Sequence, residues 1–252
     1  MQTKIFDSFP ELRLFINGLT ENPNHIYRGY NRDEEIYPSI IHGQDRSRLE
    51  GAFLREFERY GLAYFSASGA MEFLSTAQHY GLPTRLLDFT FNPFVAMFFS
   101  LYNVKAESDD PYYKIIYCDI RDCCSFDEVS FTSEGEKASE NEHAPHRSYT
   151  NELLARFKSL RDVDRLCIVN PALNNQRIMM QQGLFLVPTT LDKARHRELI
   201  ERYTSKIMIH KSIRHEALRY LDVLGFNAFR LMPDLASVRH AIKNRVIARG
   251  GN

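Results

Sequence analysis

Five charged or ionisable side chains, Arg28, His79, Arg85, Asp88 and Arg177, stand in otherwise apolar stretches of this 252-residue chain. Desolvating an unpaired charge is expensive, and even a neutral polar group costs roughly 2–7 kcal/mol. The densest stretch is "QHYGLPTRLLDFT", residues 78–90, which runs into the strongly apolar "NPFVAMFFSLY". The residues alone leave two accounts open. In one, Arg85 pairs with Asp88, and Asp88 with Thr90 satisfies the unpaired N–H groups of a helix opened by Asn92-Pro93. That is a buried polar staple, and removing Asp88 would then cost roughly 3–5 kcal/mol. In the other, the same helix mouth, with Arg85 and Thr90 beside it, is an anion site for phosphate or pyrophosphate. The helix dipole would add roughly 0.3–1 kcal/mol there. No Walker loop and no Gly-x-Gly-x-x-Gly occurs to narrow the nucleotide class.

Other chemistries find less support. His143 and His146 stand in a polar stretch without helical support, so no metal site is expected. His210 and His215 lack a cysteine or carboxylate at ligand spacing. No Gly-x-Ser-x-Gly occurs, and Cys118 and Cys167 read as small core residues of apolar strands. Cys118, Cys123, Cys124 and Cys167 show neither Cys-x-x-Cys spacing nor a disulfide framework. The N-terminus lacks the basic and apolar regions of a leader, and no apolar run reaches the ~18–20 residues of a membrane span. The expectation is a reduced, cytoplasmic protein without membrane contact. Lysine plus arginine, 32, balance aspartate plus glutamate, 32, so nothing draws the whole chain to nucleic acid or anionic lipid. "RHRELIERYTSK" and "RHAIKNRVIARG" are basic enough to touch RNA or DNA but read as solvated helix faces.

The elements that must position these groups follow from periodicity and punctuation. Ser8-Phe-Pro-Glu11 is a capping-box pattern opening a helix over 8–19. "HIYRG" (25–29) reads as a strand. Leu49, Phe53, Phe57 and Tyr60 form the stripe of a helix over 46–60 stopped by Gly61, with Glu56 and Glu58 on its solvated side. A helix over 71–80 follows, then a brief strand at Leu86-Leu87. Asn92-Pro93 launches a helix apolar nearly all round, hence buried. Residues 113–120 and 165–170 are β-rich. Between them, about 121–146, lies a polar insertion. Strands at 184–188 and 206–210 alternate with helices at 191–203 and 212–224; a strand near 228–231 and a helix from Asp234 end the chain. The sum is one α+β domain over residues 1–252, a mixed central sheet with flanking helices.

Tyr27-Arg28-Gly29, "STAQHYGLPTRLLDFTFNPFVAMFFS" and "NQRIMMQQGLFLV" (175–187) resemble the signature blocks of the FRG-domain family, with Tyr27 where the family's triplet has Phe. The ending "KIMIHKSIRHEALRYLDVLGFNAFRLMPDLASVRHAI" is similar too, so the resemblance spans nearly the whole chain from about residue 25. It implies a bacterial or phage protein of conflict or defence type. The polar positions carried over are Arg28 with Gly29, Gln78, His79, Thr84, Arg85, Asp88, Thr90, Asn92, Arg177 and Gln182. Their spread over three blocks predicts convergence on one pocket.

A second resemblance is to the ADP-ribosyltransferase fold. Arg28 on an early strand, then Asp88-Phe-Thr90 leading to Ala96-x-x-Phe99, follows that fold's order. The late glutamate is absent: Gln181-Gln182-Gly183 stands where Gln-x-Glu would. Glu134, Glu136, Glu140 and Glu142 fall in the polar insertion and read as solvated. The resemblance implies NAD as cofactor and a protein or nucleic-acid target. Arg28, His79 and Asp88 would be the catalytic group, Asp88 supplying the missing anion. Gly29, Gln78, Thr84, Arg85, Thr90, Asn92, Arg177 and Gln182 would join Arg28 in holding the nucleotide. A non-catalytic module binding a nucleotide or a protein through the same pocket is the alternative. Arg28 is expected to face water in the empty protein.

Overall fold

The computed structural model describes residues 1–32, 36–42, 45–102, 110–126, 148–161, 163–171 and 176–232. In chain order the elements are β1 (Thr3–Phe6), α1 (Phe9–Leu19), β2 (His25–Tyr30), α2 (Glu50–Gly61), α3 (Ala70–His79), β3 (Leu87–Thr90) and α4 (Pro93–Leu101). There follow β4 (Tyr112–Asp119), β5 (Cys124–Ser125), α5 (Tyr149–Ser159), β6 (Cys167–Val169), α6 (Gln176–Gln181) and β7 (Gly183–Val187). Last come α7 (Lys193–Tyr203), β8 (Ser205–His210), α8 (Arg214–Val223) and α9 (Ala228–Leu231). The described strands form one sheet of eight in the order β1-β8-β4-β2-β3-β7-β6-β5. The β1–β8 and β5–β6 pairs are parallel and the others antiparallel, so the α+β class with a mixed sheet holds.

Side chains alternate between the faces of a strand, and the core follows that period of two. Tyr27 and Ile115 belong to one apolar cluster, gathered by α1, α4, α8 and α9. Phe185 and Val187 belong to a second, under α2, α3 and α5. Ile26, Tyr30, Ile116, Leu87, Phe89, Leu184 and Leu186, of the opposite parity, form a third with Leu199 and Ile200 of α7. One face of the sheet thus carries two separate cores and the other face one continuous core.

The seam between the two separate cores falls at β2 and β3. Tyr27 and Thr90 are the one register pair joining these strands, whereas β2 pairs with β4 along its whole length. Beyond that pair the strands part. Next to the seam, α4 lies hard against β2. A Cβ on Gly29 would stand 1.8 Å from the carbonyl oxygen of Ala96, so only glycine admits the helix at that distance.

Several sequence expectations need correction. Residues 228–231 form a helical turn instead of a strand, because Asn227 caps it through the Arg230 N–H and Ala228 and Leu231 bury at i, i+3. Ser8 makes no side-chain cap to α1, though Pro10 does sit in its first turn. Glu58 is not on a solvated face. It accepts from the Ser148 hydroxyl and from the backbone N–H groups of Tyr149 and Thr150, which opens α5. Burial raises its pKa, but these hydrogen bonds outweigh burial and hold it below the ordinary glutamate range. Cys124 and Cys167 face each other across the parallel β5–β6 pair and are joined by a disulfide, although 43 residues separate them. The cysteine premise for a reduced chain therefore fails, since disulfides persist chiefly in oxidising surroundings. Cys118 is a buried thiol, as expected. Among the described residues no helix is long and apolar enough to cross a membrane. The helix expected from Asp234, His143, His146 and the glutamates from 134 to 142 lie outside the described residues.

Candidate functional site

Where β2 and β3 part, a cavity of about 360 Å³ opens, lined by Arg28, Gly29, Asp88, Thr90, Arg177 and Gln181, with Tyr27, Phe99, Tyr102 and Met232 as its apolar walls. Arg28 and Phe89 have one strand parity and Tyr27, Asp88 and Thr90 the other. Both parities line a single cavity because it enters the gap between the strands. A smaller recess of about 90 Å³ adjoins it, sharing Asp88, Arg177 and Gln181 and adding Gln78 and His79. The structure thus brings together Arg28, His79, Asp88 and Arg177, which lie in all three sequence blocks.

Each polar group is held from a different element. Arg28 bridges the gap, its Nη1 donating to the carbonyl oxygen of Asp88 at 2.7 Å. In the empty protein it is therefore bound to the opposite strand, and the expectation that it faces only water is corrected. Asp88 is exposed on β3, and its Oδ1 accepts from Gln78 Nε2 at 2.9 Å. Gln78 in turn accepts a hydrogen bond from the hydroxyl of Thr84. Thr84 is 1 % exposed and locked by Ser39, whose hydroxyl takes the Thr84 N–H and donates back to the Thr84 carbonyl. Thr84 does not line the cleft; it aims Gln78, and Gln78 aims the Asp88 carboxylate.

Arg85 does not pair with Asp88. Its guanidinium forms a two-point ion pair with Glu50 at the start of α2, with Nε to Oε1 at 2.7 Å. Its guanidinium carbon also lies 3.6 Å from the centre of the Phe157 ring. Arg85 is part of the core beneath α2 and α5 and leaves the cleft, so the staple exists with Glu50 in place of Asp88. Asp88, solvent-facing, is not the buried acceptor the sequence suggested.

The anion site at the mouth of α4 is also corrected. Pro93 has no N–H, the Phe94 N–H goes to Asn92 Oδ1, and those of Val95 and Ala96 go to the Asn92 carbonyl. Asn92 is a cap and its donors are spent within the helix. Thr90 touches the cavity, but its hydroxyl donates to the Gln181 carbonyl at 2.6 Å and accepts the Asn92 N–H. Gln182 turns away, with φ +48° and its carbonyl accepting the Phe91 N–H, to link α6 to β7. Gln181, one residue earlier, is the glutamine that lines both recesses, its Nε2 donating to the Leu231 carbonyl at 2.7 Å. The end of α6 at Gln181 and the left-handed backbone of Gln182 separate the two, a signal the motif letters alone do not carry.

Residues 23–109 match the family model of the FRG domain. The chain carries an FRG domain. The match covers β2, α2, α3, β3 and α4, and so contains Arg28, Gln78, His79 and Asp88. Arg177 and Gln181 come from beyond it, and the C-terminal part of the chain completes the cleft that the FRG domain begins. Tyr27, opening the Tyr-Arg-Gly triplet, keeps its hydroxyl satisfied by donating to the Leu19 carbonyl at 3.0 Å, and burial pushes its phenol well above the ordinary tyrosine range. No curated protein and no solved structure gives a match.

Proposed function

We propose that the β2–β3 cleft of the FRG domain binds NAD or a related dinucleotide and that the protein transfers ADP-ribose from it in a bacterial or phage conflict setting. The observation that carries this reading is the meeting of Arg28, Arg177 and Asp88 in one cavity at the parting of two strands. Two guanidiniums suit a pyrophosphate, which each can grip with charge-assisted hydrogen bonds. The aromatic walls of Tyr27, Phe99 and Tyr102 suit a base, and about 360 Å³ falls in the usual range of ligand sites, roughly 300–1,000 Å³. The mouth of α4, already capped, takes no part.

In the reaction the bond between nicotinamide and the ribose anomeric carbon breaks. A new bond joins that carbon to a nucleophile of a protein or nucleic-acid target, which loses a proton. Positive charge grows on the ribose as nicotinamide departs, and a fixed carboxylate stabilises it. Asp88, aimed by Gln78, is the carboxylate that lines the cleft among the described residues. His79, exposed at the end of α3 in the adjoining recess, would take the target's proton.

Calorimetric titration with NAD and ADP-ribose, paired with an assay for released nicotinamide, tests this. Arg28→Ala and Arg177→Ala should each weaken binding by about tenfold or more, the loss expected when a charge-assisted hydrogen bond is removed. Asp88→Asn should keep binding and lose nicotinamide release, and any toxicity on expression should vanish with Arg28→Ala. No heat from the wild type with either ligand would refute the reading. The exposure of Asp88 favours a second reading, a nucleotide-binding module without catalysis. Binding with no nicotinamide release from the wild type would select it.

A further inference from the structure

A second cavity, of about 700 Å³, lies against α2 and α5, its wall formed by the Arg85–Glu50 pair. Arg48, Lys158 and Arg161 line it, all exposed, from the turn before α2 and the end of α5. Among the described residues none of these three side chains hydrogen-bonds a carboxylate, whereas Arg156, Arg195 and Arg202 do. Glu50, the carboxylate lining this cavity, is already held by Arg85 on two points. Asp45, whose field reaches Arg48, accepts the Ser47 N–H at 2.8 Å.

Three cations thus line one concavity in a chain whose charges balance overall at 32 against 32. For Lys158 and Arg161 the end of α5 offers a partial reason, because a helix C-terminus favours positive charge. Arg48 has the opposite situation. It sits immediately before the N-terminus of α2, where the dipole opposes a cation and favours an anion, and α2 has no side-chain cap. An anion lodged between Arg48 and the end of α5 relieves both the mutual repulsion and the dipole conflict. Ser47, Thr189 and Thr190 also line the cavity, the Ser47 hydroxyl bonded to Asp45 and the Thr190 hydroxyl accepting the Asp192 N–H.

We infer that this cavity is a second anion site, separate from the β2–β3 cleft, which takes a small ligand carrying several linked phosphates. Its residues are not those proposed to hold NAD, so it stands whether or not that reading does. Inorganic tripolyphosphate is the probe, with inorganic phosphate and a short single-stranded oligonucleotide as comparisons, titrated into the full chain at low and high salt. Tripolyphosphate should bind more tightly than phosphate and weaken as salt screens the cations. Tripolyphosphate suits the β2–β3 cleft as well, so the titrations use the Arg28→Ala, Arg177→Ala background, in which Lys158→Ala with Arg161→Ala should cost about tenfold or more, as should Arg48→Glu on the other element. Melting curves separate loss of binding from loss of fold, and the two variants come from different elements. No binding by the Arg28→Ala, Arg177→Ala chain at low salt would overturn the inference, as would full binding after both sets of further changes. An oligonucleotide that binds more tightly than tripolyphosphate through the same residues would overturn the small-ligand assignment in favour of a nucleic-acid strand.

Discussion

Arg85 and Asp88 lie three residues apart in one motif and lead opposite lives. Arg85 is buried, clasped by Glu50 and stacked on Phe157. Asp88 is exposed, steadied by Gln78, and looks into a cleft. Chemistry of the letters cannot tell them apart, since both are charged and both flank apolar residues. What separates them is the partner each meets. Glu50 comes from 35 residues upstream to neutralise Arg85, and no described basic side chain forms an ion pair with the Asp88 carboxylate. A dense charged motif can thus hold a structural half and a ligand-facing half.

The largest expected break is on the Arg85 side. Glu50→Ala leaves a buried guanidinium without its acceptor and should lower stability by roughly 3–5 kcal/mol in denaturant unfolding. A loss below about 1 kcal/mol, the range of exposed ion pairs, would show that the pair is wet.

An intermediate effect is expected from His196 on α7, which is 1 % exposed and bonded to the Ile36 carbonyl at 2.8 Å. Burial lowers its pKa from 6.5, the Ile36 hydrogen bond raises it by less, and the charge of Arg28 adds a still smaller lowering. The unfolded chain therefore takes up a proton as pH falls through 6.5 and the folded chain does not, so stability present above 6.5 is lost below it. Melting temperatures across that interval should fall more for wild type than for His196→Gln. Arg28→Ala should shift the loss to lower stability cost by letting His196 protonate more easily. Equal falls in wild type and His196→Gln would remove His196 from the account, leaving His25, whose pKa burial also lowers.

Asp88→Ala should be the mildest change, within about 0.5 kcal/mol, the usual range for an exposed side chain. A loss as large as that of Glu50→Ala would erase the contrast between the two residues.

Local signals made much of this legible. Asn92-Pro93 marked the start of α4, and Gly29 belonged to a motif whose close approach to Ala96 explains the missing side chain. The β-rich run over 113–120 placed β4. Relations across long separations were not legible. Glu50 with Arg85, Glu58 with the start of α5, and Cys124 with Cys167 are each set by how elements pack, which no local period encodes. The helix α5 itself had a signal that went unread: Ser148 as cap, then Leu153, Phe157 and Leu160 at helical spacing. In the site, the gathering of Arg28, His79, Asp88 and Arg177 followed from apolar surroundings that left charged groups few places to go. Which glutamine of "QQG" enters the cleft depended on where α6 ends, since Gln181 is its last residue and Gln182 turns at φ +48°.

The single Tyr27–Thr90 rung has a mechanical meaning. Widening the cleft requires parting β2 from β3 at one backbone pairing and releasing the Arg28 bridge to the Asp88 carbonyl, while the apolar cluster on the far face spans both halves of the sheet behind it. The sheet can therefore flex at this seam like a book at its spine. A guest larger than the resting gap enters at the loss of one rung and of the Arg28 bridge, and the unbroken far face draws the two halves back when it leaves.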